Sequence, residues 1–202
     1  MTRPHGDSAD DFSGGDAYHL PVLVEEVVSH LVTAPDGIYV DCTIGGGGHA
    51  GALLERLADG GRIVGLDRDP DAIAHAAARL GEYRDKISLH TANFTELRDI
   101  LQKEGVAGVH GILADLGVSS HQINTPERGF SYRFEGPLDM RMDSARSPSA
   151  GEIINTFSIE QLAAIFRDYG EERNARRIAR GIDYARQKGR IASTTELAEV
   201  VR

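Results

Sequence analysis

The stretch DCTIGGGGHAG, residues 41–51, decides the fold. It leaves the apolar run of a strand, IYVDCT, and opens into the helical pattern GHAGALLERLA, so four consecutive glycines stand at a strand-to-helix turn. Glycine lets backbone N–H groups approach a ligand closely there, and a helix N-terminus favours electron-rich groups. Gly46, Gly48 and Gly51 fit the dinucleotide pattern G-x-G-x-x-G, and Asp67 ends the next strand, 19 residues after Gly48. An acidic side chain in that place accepts both hydroxyls of a ribose. The glycines alone also describe an ordinary tight turn; together with Asp67 they predict a nucleotide-like ligand.

Outward from this turn, strands and helices alternate. Upstream, HLPVLVEEVVSHL places Leu23, Val24, Val27, Val28 and Leu31 on one stripe, which predicts an amphipathic helix from near Pro21. Downstream, Gly60 and Gly61 are expected to end the helix that follows the glycine turn. RIVGLD is the second strand, and DPDAIAHAAARL the next helix, with Asp69 as its N-cap and Pro70 its first residue. ISLHTA, TELRDILQKEG and GVHGILADLGV continue as strand, helix and strand. Short apolar strands alternating with helices predict an α/β fold of Rossmann type with parallel strands.

The pattern then changes. Residues 1–17 read as a disordered leader, 18–120 as the cofactor-binding α/β domain, and 121–150 as a long loop region serving the active site and substrate. Residues 151–202 read as an incomplete helical insert, with helices at Ile159–Asp168 and Glu171–Gln187 and a third from Ser193 or Thr194. Four strands are fewer than a doubly wound sheet normally has, so the chain is expected to be the N-terminal part of a longer protein.

Composition narrows the class. The 202 residues are 41% hydrophobic and 26% charged, which suits a globular domain rather than a disordered chain. The single cysteine, Cys42, excludes an internal disulfide and cysteine-type zinc sites, and it reads as a small buried residue rather than a nucleophile. No apolar run reaches the ~20 residues that span a bilayer, and the N-terminus lacks an apolar signal region, so a cytoplasmic protein without membrane contact is expected. No catalytic metal is expected either. DRDPD resembles the start of a calcium loop, but Ala72 and Ala78 stand where Gly and Glu are required.

A net charge of −9 weighs against a nucleic-acid partner, yet the segment from Arg167 to Arg190 holds eight basic and four acidic residues. Arg173, Arg176, Arg177 and Arg180 recur there at helical intervals, as a solvated helix face or an RNA-contacting one. Phe130, Tyr132 and Phe134 alternate around Arg133, as a strand with one buried face or as rings offered to RNA bases.

The ligand's charge separates two cofactors. Asp41, just before the glycines, would repel a pyrophosphate and suits an amino group and a sulfonium. Asn93 and Phe94 offer a polar edge and an aromatic face to an adenine, with Phe94 equally readable as a core residue, and Asp115, ending the fourth strand, lies where a transferred group would emerge.

Five blocks, DCTIGGGGHAG, GLDRDPDA, ILADLGVSSHQI, ERGFS and GPLDMRMD, occur in order from His19 onward. Together they resemble the bacterial RsmH (MraW) family, which methylates N4 of a cytidine in the decoding region of 16S ribosomal RNA. The resemblance implies a class I S-adenosylmethionine-dependent methyltransferase fold with an inserted helical domain and its last strands missing. It implies cofactor positions at Gly47, Gly48, His49, Asp67, Phe94, Asp115 and Gln122. The partner it implies is 16S rRNA in the small ribosomal subunit, and a homodimer stays open. Asp115 is the candidate acceptor for the hydrogens of the attacking amine, in a turn that reads DLGVSS, with Ser119 and Ser120, where DNA amino-methyltransferases have a D-P-P-Y-like turn. Cys42 and Ala50 depart from the family's usual Gly and Ser, and the chain is about a hundred residues shorter than family members. A nicotinamide-dependent oxidoreductase and a non-catalytic RNA-binding fragment stay as alternatives.

Overall fold

The structure, a computed structural model, describes residues 21–143 and 148–202; the leader expected over 1–17 lies outside the described residues. Short β-branched and aliphatic runs form β1 (Ile38–Asp41), β2 (Arg62–Asp67), β3 (Ile87–Thr91) and β4 (Gly111–Leu113). They make one parallel sheet in the order β3-β2-β1-β4. Parallel strands need crossovers, and helices supply them: α2 (Gly48–Leu54) joins β1 to β2, α3 (Pro70–Arg79) joins β2 to β3, and α4 (Leu97–Lys103) joins β3 to β4. The register sets Asp41 beside Gly65 of β2 and Leu113 of β4, and Asp67 beside Thr91, so both carboxylates emerge at the same end of the sheet.

The pleat sorts side chains by parity. Tyr39 and Ile63 point into a core with α1 (Val24–Leu31), α2 and α3, through Val28, Ala50, Leu53 and Ala76. Val40, Cys42, Val64 and Leu66 point to the opposite face, where Ile100 of α4 covers them. Cys42 is therefore a small buried core residue, and burial pushes its thiol pKa up. Asp41 and Asp67 have the parity of Tyr39 and Ile63. They lie on the α2 side, under the glycine turn.

Four expectations need correction. The first helix starts at Val24, after a left-handed Leu23 (φ 55°), rather than near Pro21, and Leu23 itself is exposed. α2 ends at Leu54, well before Gly60 and Gly61. The second of those glycines answers a tertiary demand, because a Cβ at Gly61 would run into the Pro35 carbonyl oxygen. The rings of Phe130, Tyr132 and Phe134 lie on no strand; Tyr132 and Phe134 are exposed on an irregular stretch. The helix expected from Glu171 begins instead at Ala175, since Glu171 adopts φ 51° and Glu172 turns the chain by donating its N–H to Phe166 O.

Beyond β4 come α5 (Ser120–Asn124), α6 (Ala150–Thr156), α7 (Ile159–Asp168), α8 (Ala175–Arg186) and α9 (Thr194–Val201). α6 to α8 pack around a separate core of Ile154, Leu162, Ala179, Ile182 and Ile191, which also takes in Leu138. Leu138 belongs to a segment sewn to α9: the Thr194 hydroxyl donates to Phe134 O, and Gly136 N donates back to Thr194 Oγ1. The irregular stretch is thus anchored at one end to the helical core. Among the described residues β4 is an edge strand, with Ile112 half exposed.

Candidate functional site

At the carboxyl end of the sheet the chain makes four loops, and short polar contacts lock them together. Gly47 precedes α2 with φ 78°, a left-handed conformation open to glycine, which turns the chain from β1 into the helix. The Gly45 N–H donates to Asp67 Oδ2 at 3.0 Å, and the Asp69 N–H donates to Asp67 Oδ1 at 3.0 Å. Asp67 therefore holds the loops after β1 and β2 in one frame. Burial is the main cause raising its pKa, opposed by these two backbone bonds.

Asp41 is the most buried carboxylate of the site, 1% exposed. Its Oδ1 accepts from the Thr43 N–H at 3.1 Å. Burial lifts its pKa to about 6, with Thr43 and His49 pulling the other way and Asp67 adding repulsion. Among the described residues no Lys or Arg forms an ion pair with Asp41, Asp67 or Asp115. Arg68 and His49 act on Asp67 and Asp41 from beyond ion-pair distance; three carboxylates on adjacent loops without an ion pair make a site for a positively charged ligand and a poor one for a pyrophosphate.

Asp115 is exposed, and its N–H donates to Thr43 Oγ1 at 2.8 Å. Thr43 thus bridges Asp41 and Asp115, a role that sequence reasoning missed. Its position between Asp41 and the glycines was the available signal, but the contact spans 72 residues.

His49, near the start of α2, is buried and lies 3.0 Å through Nε2 from the Val22 carbonyl, which makes Nε2 the protonated nitrogen. Its ring is engaged with the N-terminal segment, which leaves its backbone, with those of Gly47 and Gly48, to line the turn. Phe94 is half exposed at the end of β3, and Asn93 Oδ1 accepts from the Thr95 N–H as a cap. Gln122 is buried in α5. Its Oε1 accepts from Ser119 N, closing a capping box, and its Nε2 donates to Asp69 Oδ2 at 2.7 Å. Ser119 serves as the N-cap of that helix.

The site brings together Asp41, Gly47, Gly48, His49, Asp67 and Asp115. Phe94 stands beside it at the end of β3, and Gln122 reaches it through Asp69. Asp69, read from sequence only as a cap, also pairs with Arg128 at 2.8 Å. On the helical part, Arg173, Arg176, Arg177 and Arg180 are exposed, while Ala175, Ala179 and Ile182 turn to the core. Among the described residues no group of three His, Cys, Asp or Glu gathers as a metal site, and no helix is long and apolar enough to cross a membrane.

The profile of the MraW methylase family matches residues 16–202. A protein of Agathobacter rectalis named Ribosomal RNA small subunit methyltransferase H 2 is 46% identical over 185 residues, 91% of this chain and 59% of its own length. Proteins named Ribosomal RNA small subunit methyltransferase H are similarly close. That of Symbiobacterium thermophilum is 43% identical, covering 92% of this chain and 58% of its own length. That of Heliobacterium mobile is 46% identical, covering 92% and 60%. The chain thus spans somewhat more than half the length of the curated relatives it matches.

Proposed function

The chain belongs to the MraW methylase family, and from that premise we propose that it serves S-adenosylmethionine-dependent N4-methylation of a cytidine in the decoding region of small-subunit rRNA. The observation that carries the cofactor reading is the cluster of Asp41, Asp67 and Asp115 with no cation paired to them among the described residues. Asp67 accepts the ribose hydroxyls with the lone pairs that Gly45 and Asp69 leave free. Asp41 balances the ligand's positive charge, Phe94 offers its face to the adenine, and the glycine turn supplies backbone N–H groups. Gln122 contributes by fixing Asp69.

S-adenosylmethionine supplies an electrophilic methyl group on a sulfonium. An aryl amine is a poor nucleophile because its lone pair is delocalised into the ring, so the protein must orient it and take up its developing charge. Asp115 does this from the loop after β4: exposed to a base, it is held at its backbone by Thr43 and accepts a hydrogen from the amine as the methyl moves. The base has to leave its stack to reach this position.

Residues 18–120 act in this reading as the cofactor domain, 121–150 as the active-site loop region and 151–202 as a helical insert that meets RNA in the cytoplasm. The four exposed arginines on α8 and just before it supply positive charge to a chain of net charge −9. The test is incubation of the whole protein with labelled S-adenosylmethionine and small subunits lacking the modification, followed by digestion to nucleosides. Label in N4-methylcytidine is expected; unlabelled subunits, or label in another nucleoside, would refute the substrate.

A further inference from the structure

The ERGFS block and the backbone of GPLDMRMD meet at one side chain. Arg128 is only 15% exposed, and its Nη2 lies 2.8 Å from Asp69 Oδ2, 3.0 Å from Arg141 O and 3.1 Å from Met142 O. Nη1 lies 3.1 Å from Asp71 Oδ2. The backbone repeats the link, with the Met140 N–H donating to Arg128 O at 3.0 Å. A cleft of about 400 Å³ opens beside this knot. Arg68 and Asn93, from just after β2 and β3, line it together with Phe130, the Met140–Asp143 segment and Pro148. Arg68 Nε reaches Met142 Sδ across it at 3.0 Å.

The partners of Arg128 lead back to the cofactor site. Asp69, whose side chain is 3% exposed, takes the guanidinium on Oδ2, and its own N–H holds Asp67 Oδ1. We propose that Arg128 is a positioning residue. Acting through Asp69, it sets the Arg141–Met142 backbone as the outer wall of the cleft at the ends of β2 and β3, so that the nucleoside end of a ligand held by Asp67 is gripped from both sides. This inference rests on the cofactor reading above. It requires arginine in particular: a planar fork reaches two carboxylates and two carbonyls at once, whereas a lysine ammonium would be a single charge at one of them. Residues far from the reacting atoms thereby control affinity for the cofactor while leaving the transfer step alone.

Two measurements test it. Hydrogen exchange of the unsubstituted protein, with and without S-adenosylhomocysteine, reads the Met140 and Arg141 amides, both hydrogen-bonded in the structure. Ligand is expected to slow their exchange. In the Arg128→Lys and Arg128→Gln proteins, assayed well below their unfolding temperatures, KM for S-adenosylmethionine and Kd for S-adenosylhomocysteine are expected to rise about tenfold with kcat nearly unchanged. A merely structural arginine would lower the unfolding temperature and leave that split absent. Exchange that ignores the ligand, or variants that keep wild-type KM and Kd, would overturn the inference. Failure of the unsubstituted protein to bind S-adenosylhomocysteine would overturn the cofactor reading, and this inference with it.

Discussion

The N–H of Gly45 donates to Oδ2 of Asp67 at 3.0 Å, which ties the glycine turn after β1 to the last residue of β2. The other oxygen of Asp67 accepts from Asp69, so one carboxylate organises two loops and still has lone pairs for a ribose. Asp67→Ala removes two charge-assisted hydrogen bonds as well as the ribose contact. It is expected to lower unfolding stability by about 1.5–3 kcal/mol and to weaken S-adenosylhomocysteine binding more than tenfold, checked by thermal denaturation and calorimetry.

Asp41 makes a pH prediction whose sign follows from burial. Its pKa rises from 3.8 to about 6 on folding, so the folded chain holds a proton there that the unfolded chain has released. Its contribution to stability is therefore greatest at low pH and declines as pH rises from 3.8 to about 6; the ionised group costs up to about 3 kcal/mol at neutral pH. Asp67, also raised by burial, works in the same direction. A cationic ligand needs the ionised form. S-adenosylmethionine affinity should thus improve as pH rises through about 6 and level off above it. Asp41→Asn should be more stable at neutral pH yet bind weakly and without that pH dependence, as calorimetry in a pH series would reveal.

Asp115 is exposed and anchored only at its backbone, so its side chain can be changed without disturbing Thr43. Asp115→Asn is expected to lower kcat for methyl transfer by about 100-fold, the usual weight of a positioned acid or base. Single-turnover transfer under saturating cofactor would measure this, and the unfolding temperature should stay put.

The arginines on α8 and before it should act through phosphate charge. Arg176→Gln combined with Arg180→Gln is expected to reduce the slope of log affinity for rRNA against log salt by about two. S-adenosylhomocysteine binding should be unaffected, since among the described residues neither arginine forms an ion pair with Asp41, Asp67 or Asp115. Filter binding across a salt series gives the slope.

What could be read from sequence was local. Asp69 caps α3 and Pro70 begins it, as expected, because a cap is settled within three residues. Ile159–Asp168 is likewise bounded by its own capping box, Ser158 with Gln161. The same signal, Ser149 with Glu152, bounds α6, a short helix that contains Gly151. The end of α2 was misplaced because Gly61 is fixed by Pro35, not by its own helix. The alternating rings from Phe130 to Phe134 imitated a strand where tertiary bonds to Thr194 hold an irregular loop.

The site divides in the same way. Asp41, Asp67 and the glycines were legible because strand ends gather at one edge of a parallel sheet. Thr43 with Asp115, and Arg128 with Asp69, are pairs 72 and 59 residues apart. Only folding brings them together.

The carboxyl end of this sheet is expected to take an S-adenosyl ligand rather than a nicotinamide dinucleotide. Calorimetric titration of the chain with S-adenosylhomocysteine and, separately, with NAD compares the two directly. One S-adenosylhomocysteine bound per chain and no measurable NAD binding are expected; NAD binding more tightly than S-adenosylhomocysteine would contradict the assignment of the site.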